Sequence, residues 1–533
     1  MTWDRELDVV VVGFGAAGSA AALDARREGA EVLVIDRFAG GGATARSGGV
    51  VYAGGGSRLQ AEAGYADDAR RMFEYLRLEV RDAVEDAVLQ RFCEESLSQL
   101  DWLESLGVPF APGRVAPHKT SYPEDDCTLY FSGNETSAPF CESARPAPRG
   151  HRVAGRGRTG DVLFRHLRAA VVASGAEIRT LCRARRLVLG PGGGVEGVEI
   201  ASLVAPPGLR RLHAALFDAG SWGALFSRTL TSLCRRSVAA IEERHGRISR
   251  VRARGGVILC AGGFAFDPDR MREHAGAFGA ARPLGTLGDD GAGIALGQSA
   301  GAATREMGSC SAWRFICPPP ELARGVLVDG AGRRICNEEY YGATLGQRIA
   351  AHGGRAFLVL DAKAWSAARS ALRSERIPGF QRVTGWINLH VNRRKAGSVA
   401  ALGARCGMPR GALEGCIEKY GADARAGADP LGKSAELLRP LDTPPFYAID
   451  CSLGSRLFPA PCMTLGGLRV EGETGRVLRP DGSPIAGLYA AGRSAAGVSS
   501  RSYVSGLSLA DCFFSGRSAG RAAARAAAAR RPG

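Results

Sequence analysis

The sequence predicts an α/β fold, a Rossmann-like parallel sheet whose two lobes are separated by an inserted α+β cap. Three observations carry this. The run Leu7–Val12 leads into Gly13-Phe14-Gly15-Ala16-Ala17-Gly18, a helical stretch Ser19–Glu28, and a second apolar run Glu31–Ile35 ending at Asp36. A later buried-strand pattern, Gly256–Gly263, ends in glycines. A third, Gly487–Gly492, is followed by Ser505-Gly506-Leu507 and a helical run to Gly516. Apolar runs alternating with helices belong to a parallel sheet covered on both faces.

Composition bounds the class. The 533 residues give a prior of three to four domain-sized units at roughly 150 residues each. With 45% hydrophobic and 23% charged residues, the chain is neither disordered nor short of core. Its 73 glycines follow no Gly-X-Y period, which excludes collagen. Its 14 cysteines are too sparse for a disulfide scaffold and form no C-x-x-C, so reduced thiols and no metal site are expected. The net charge of +15 comes mostly from arginine; only five of the 69 basic residues are lysine. No basic run carries interleaved aromatics, so no nucleic-acid partner is expected. The charged start, Met1–Asp8, reads as no leader peptide. No stretch of about 18 uncharged apolar residues appears, and a cytoplasmic protein is expected.

Each part of the first motif has a physical role. Gly13 permits a tight turn, Gly15 lets a pyrophosphate approach the backbone, and Gly18 lets helix and strand pack closely. Ala16 and Ala17, within the turn, are candidate contacts, and the helix N-terminus that follows offers free N–H groups and a positive dipole end to phosphates. Asp36 can accept hydrogen bonds from a ribose diol, with Arg37 beside it. The motif alone leaves FAD and NAD open. The second glycine-rich loop, Gly40–Gly49, can wrap the flavin end of a bound FAD; Gly42, Ala43, Thr44, Ser47, Gly48 and Gly49 are its candidate contacts. Ala261, Gly262, Gly492, Gly506, Leu507, Ser508 and Leu509 complete the expected cofactor set.

Ser57–Leu106 and Asp161–Ala173 show helical periodicity. The short strands Glu177–Leu181 and Gly194–Ile200 suggest an antiparallel addition. The expected division is an FAD-binding domain from 1–269 and 439–533, with the cap at 270–438. Residues 208–246 read as an insertion within the FAD-binding domain. There Leu212, Leu216, Trp222, Leu225, Phe226, Leu230 and Leu233 recur at near-helical spacing among Arg210, Arg211, Arg228, Arg235 and Arg236. Such a segment suits an anionic membrane surface, a subunit contact or a lid. The Ala/Arg-rich end, Arg521–Arg531, reads as a fraying helix with a polar tail.

The segments GFGAAG, GGATARSGG, GVILCAGGF, GDDGAGIAL, NEEYYG, PPFYA, TLGGL, GLYAAGR and SGLSLADCFFSGRSAG occur in this order. In them the chain resembles the flavoprotein family of fumarate reductases, succinate dehydrogenases and 3-ketosteroid dehydrogenases over nearly its whole length. The narrower resemblance, on Lys119–Glu135, Pro146–Arg152 and Tyr503-Val504-Ser505-Gly506, is to 3-ketosteroid Δ4-(5α)-dehydrogenases. It implies a Rossmann-like two-lobed FAD-binding domain with an inserted catalytic cap domain. It departs from the fumarate reductases in three places. Tyr503 stands where they have a substrate-binding arginine, Gly342 where they have a proton-donating arginine, and Met463 where they have a histidine. A dicarboxylate would be left without bidentate partners, whereas a neutral, lipophilic ketone would fit. No histidine lies among Ala39–Tyr52 for covalent flavin attachment, so FAD is expected to be noncovalent.

The implied chemistry is oxidation of a 3-keto-5α-steroid to the 4-ene-3-one, with a proton leaving C4 and hydride leaving C5. By the same resemblance, Tyr503 polarises the carbonyl, Tyr341 is the base with Tyr340 as the register alternative, and Ser505 supplies a relay. The Gly506–Ser508 amides serve either the carbonyl or the flavin. Tyr122 and Tyr130 line the pocket or pack. His118, His151, Asp511 and Cys512 are read as structural. A Δ1-dehydrogenase, a reductase of an unsaturated carboxylate and a flavin-binding module without turnover are the alternatives. The electron acceptor (quinone, dye or carrier protein) and the oligomeric state are left open.

Overall fold

The apolar run at the start of the chain forms the strand Arg5–Val12, paired in parallel with Val32–Ile35 on one side and Gly246–Leu259 on the other. The computed structural model describes residues 2–116, 122–317, 319–373, 377 and 379–530. The sheet continues in parallel through Glu177–Arg179 at one end and Pro484–Ala490 at the other, where Arg476–Leu478 adds an antiparallel edge. Leu7 and Val9–Val12 are almost fully buried, as a parallel strand covered on both faces requires. Asp8 is buried among them. Its carboxylate accepts the Glu31 amide at 2.8 Å and pairs with Arg254 at 2.8 Å.

Two expectations for short elements are corrected. Glu177–Arg179 belongs to the parallel sheet beside Val32–Ile35. The expected strand Gly194–Ile200 does lie in the antiparallel addition, as Val195–Leu203, but its partners are Cys182–Leu189 and the first half of Gly246–Leu259. A three-residue strand carries no alternation by which sequence could tell the two settings apart. The C-terminal Ala/Arg segment does not fray over its described part. The helix Leu507–Ala528 buries Ala523, Ala524 and Ala527 and lies against the first helix, Ala16–Arg27. A Cβ at Gly516 or Gly520 would come within 2.4 or 2.2 Å of the Ala17 or Ala21 carbonyl oxygen. Arg517 and Arg521 both pair with Asp24, at 3.2 and 2.7 Å. Small residues let the backbones meet, so no stripe of large apolar side chains is needed.

The cap is built on an antiparallel sheet in the order Val326–Asp329, Ala356–Leu360, Phe446–Asp450, Arg393–Ala396. This corrects the expected boundaries of 270 and 438. Phe446–Asp450 is an inner strand of the cap sheet. The helix Ala292–Ser299 puts Ile294 and Leu296 into the FAD-domain core with Leu468 and Val257. A buried strand is apolar in either domain, so its run alone does not reveal the sheet it joins. The two parts meet where Cys310–Ala312 pairs with Pro461–Thr464.

The 208–246 insertion is a helical hairpin, Pro207–Gly223 and Arg228–His245, set between the antiparallel strands Val195–Leu203 and Gly246–Leu259. Its inner face stacks Phe217 on Phe38 at 4.1 Å, and His213 meets Glu242 at 3.0 Å. Leu212, Trp222, Phe226, Leu230 and Leu233 stay exposed. Among the described residues, no helix is long and apolar enough to cross a membrane.

Candidate active site

The glycine motif folds as its spacing predicts. Gly13 sits at φ 105°, and a Cβ on Gly18 would lie 1.9 Å from the Gly13 carbonyl oxygen, so only glycine permits this strand–helix approach. Gly15 is the N-cap and no side chain caps the helix there. The Ala16 amide donates to Thr44 Oγ1 at 3.0 Å, which ties the second glycine loop to the first. Asp36, at the end of the second strand, accepts the Phe14 and Phe38 amides, each at 2.8 Å. Burial raises its carboxyl above the ordinary range, and those amides work against the rise. Arg37 pairs with Glu242 at 2.9 Å and Asp290 at 2.6 Å, so it ties the hairpin to the 290 turn.

Gly42, Ala43, Ser47 and Gly48 run half-buried along the short helix Gly42–Arg46 and the turn after it, with Gly49 buried behind them. Ser47 Oγ accepts the Gly49 amide at 3.1 Å. The Tyr122 hydroxyl donates to the Gly48 carbonyl at 2.7 Å, which makes Tyr122 a support of this loop. Ala261 and Gly262 leave the strand Gly246–Leu259 beside Gly13, and Gly492 abuts Ala17. Ser508 and Leu509 are half-buried in the first turn of the last helix, whose N-cap Gly506 provides no side-chain cap. Half-buried main chain and helix starts whose N-cap residues supply no side-chain cap suit an FAD pyrophosphate and ring system.

Beside this cradle, the seam between the two domains is lined by an apolar cluster. Tyr341 and Ala343 come from the cap, Met463, Leu465 and Tyr503 from the FAD-binding domain, with Trp313 and Phe315 packed against them. Tyr503 stacks on Trp313 at 5.6 Å and 23°, and Phe315 meets Tyr341 edge-on at 5.8 Å. Tyr341 is the N-cap of the cap helix Gly342–Ala351, and its amide donates to Asn134 Oδ1 at 2.7 Å. The Asn134 amide nitrogen donates in turn to Glu79 and Thr344 Oγ1. A Cβ at Gly342 would lie 2.4 Å from the Phe315 ring. An arginine at this place has no room, and all three positions that depart from the fumarate reductases fall at this apolar seam.

Ser505 lies between two phenols. Tyr130 Oη donates to Ser505 Oγ at 2.7 Å, and the Tyr341 phenol lies beside the same serine, whose hydroxyl favours its ionised form. Burial, then the neighbouring Tyr503 and Tyr130, raises the Tyr341 phenol well above its ordinary value. Tyr503 is pushed up to about 12 by burial, with the Gly506 amide opposing the shift. Both are neutral phenols at physiological pH. Each hydroxyl in the Tyr341–Ser505–Tyr130 chain can donate and accept, so the chain can pass a proton along.

The structure brings together Tyr341, Tyr503 and Ser505 and separates Tyr340. The Tyr340 hydroxyl donates to the Ala138 carbonyl at 3.2 Å, beside Phe140. Sequence reasoning missed Trp313 and Phe315 and left Tyr130 undecided; the aromatics flanking Arg314 were the available signal for the first two. His118 lies outside the described residues. His151 is buried, lowered to about 4 by burial, and bonded to Ser57 Oγ at 2.7 Å. Asp511 accepts the Ser499 amide and hydroxyl and holds that turn in place. Each is engaged by neighbouring hydroxyl or amide groups of the protein itself.

The sequence matches the FAD binding domain family over residues 8–509. It is 36% identical over 503 residues to the 3-oxo-5-alpha-steroid 4-dehydrogenase of Comamonas testosteroni, covering 92% of this chain and 93% of that protein. The structure superposes on a crystal structure of 3-ketosteroid Δ4-(5α)-dehydrogenase from Rhodococcus jostii RHA1 in complex with 4-androstene-3,17-dione. The TM-score is 0.80 at 32% identity, covering 98% of each chain. A flavocytochrome c3 fumarate reductase shares the fold at TM-score 0.62 and 22% identity, over 98% of this chain and 79% of that one.

Proposed function

The chain belongs to the FAD binding domain family, and from that premise we propose that it dehydrogenates a 3-keto-5α-steroid to the 4-ene-3-one. One observation carries this reading: two buried phenols, Tyr341 and Tyr503, share an apolar seam beside Ser505, which is hydrogen-bonded to a third, Tyr130. FAD, held noncovalently by the two glycine loops and the start of the last helix, would take the C5 hydride at N5. The rest falls to the protein. Tyr503 donates a hydrogen bond to the C3 carbonyl as it gains enolate charge. Tyr341 Oη takes the C4 proton while its own proton moves to Ser505, the Ser505 proton moves to Tyr130, and the Tyr130 hydroxyl gives up its proton onward to bulk water, so that each hydroxyl ends neutral. Because burial keeps Tyr341 neutral, it works by exchanging protons along this chain and not as a standing phenolate. Trp313, Phe315, Met463 and Leu465 exclude water and hold apolar rings.

Anaerobic titration with a 5α-3-ketosteroid and with succinate tests the reading. Bleaching of the flavin by the steroid alone, with a 4-ene product, is expected. Bleaching by succinate, or a 1-ene product, would overturn it.

A further inference from the structure

We propose that the cap helix Gly379–His390 docks on an anionic phospholipid surface. The helix is inside out. Its buried face holds Gln381, Gly385, Asn388 and Leu389. Phe380, Val383 and Trp386 face outward at 60%, 60% and 55% exposure, and Val391 follows at 52%. The spacing 380, 383 and 386, in steps of three, places these side chains on neighbouring turns of one side. An exposed aromatic and branched row on a helix with polar residues inside marks an interaction face.

Charge selects the partner. From 362 to 396 the sequence carries eight lysines and arginines and one glutamate. The Arg369 and Arg393 guanidinium groups lie over the Trp365 ring, at 4.9 and 5.4 Å, on the side of the cap sheet that this helix covers. Arg373 is exposed. A second copy of this face would bring like charges together. Nucleic acid would use the cations but leave Val383 and Val391 without partners. The boundary between lipid headgroups and acyl chains takes both: apolar side chains insert and basic ones remain among the phosphates.

The helix also reaches the second glycine loop through Tyr122. Gln381 Nε2 donates to the Tyr122 carbonyl at 3.1 Å, and the Tyr122 hydroxyl holds Gly48. A lipophilic substrate could pass from the bilayer to the seam there, a use that rests on the steroid reading above; the docking surface itself does not.

Cosedimentation of the flavin-loaded protein with vesicles tests the proposal. One set is phosphatidylcholine alone and the other contains one-third phosphatidylglycerol. Binding to the anionic set, weakened by salt, is expected. Phe380→Glu/Trp386→Glu should lower the bound fraction by about tenfold or more, and Arg373→Glu should lower it in the same direction. Bleaching by detergent-solubilised 5α-3-ketosteroid should stay at the wild-type rate in both, which separates docking from catalysis and confirms folding. The proposal fails if wild type binds both vesicle sets equally or neither, or if the double variant binds as wild type does. It also fails if sedimentation velocity shows that the double substitution only dissociates a dimer, or if the face captures RNA in preference to vesicles.

Discussion

Tyr341 stands on the cap and Tyr503 on the FAD-binding domain, so neither phenol reaches the other's partner unless the seam is closed. Tyr503→Phe removes the donor to the developing oxyanion and should slow anaerobic flavin reduction by about 10²-fold. An unchanged rate would remove that role. The phenol shifts set the pH dependence. Raising a phenol's pKa extends its neutral range upward, and Tyr503 is pushed up to about 12 with Tyr341 also well above its ordinary value. The rate of flavin reduction should therefore show no rise between pH 6 and about 9 that is lost in Tyr341→Phe. Such a rise would mean that Tyr341 acts as a phenolate. At this scale the sequence was readable where a motif fixed the place: Tyr503 and Ser505 precede a glycine-capped helix. Trp313 and Tyr130 were not readable, because only tertiary packing brings them to the phenols.

Elements hold these side chains through close backbone approaches and buried polar groups. Gly342 begins the helix that carries Tyr341, with the Phe315 ring 2.4 Å from where a Cβ would sit. Gly342→Ala should cost about 1–3 kcal/mol in thermal unfolding, and pairing it with Phe315→Leu should recover part of the loss. No loss would mean the ring moves aside freely. In the last helix, burial pushes Asp511 up to about 6 from its ordinary 3.8 against the Ser499 hydrogen bonds. The folded state then keeps a proton that the unfolded chain has released. The stabilising difference is whole below about pH 4 and is lost as pH rises through about 6, by up to about 3 kcal/mol. Asp511→Asn removes this slope, so the melting temperatures of the two proteins should diverge between pH 4.5 and 7.5. Parallel curves would contradict it. The strand–glycine–helix unit was legible because its apolar runs are long, and in the 208–246 insertion the helical period was legible but not its break into Pro207–Gly223 and Arg228–His245. Glu177–Arg179 was misplaced because three residues carry no period, and the Ala/Arg tail because close helix packing needs only small residues.

On the scale of the whole molecule, a parallel sheet with an FAD cradle meets a separate antiparallel cap, and the proposed chemistry occupies the seam. The order of segments made this architecture legible, while the boundary at 438 was misread because Phe446–Asp450 is buried and apolar in any setting. The account rests on an uncharged seam in which the chain's own phenols take a proton from C4 while hydride leaves C5. Stopped-flow reduction of the flavin by a 5α-3-ketosteroid, protiated or deuterated at C5, probes this with the product identified from the same mixture. A slower reduction with the C5-deuterated steroid and a 4-ene-3-one product are expected. An isotope effect that follows deuterium at C1 instead, with a 1-ene product, would contradict it.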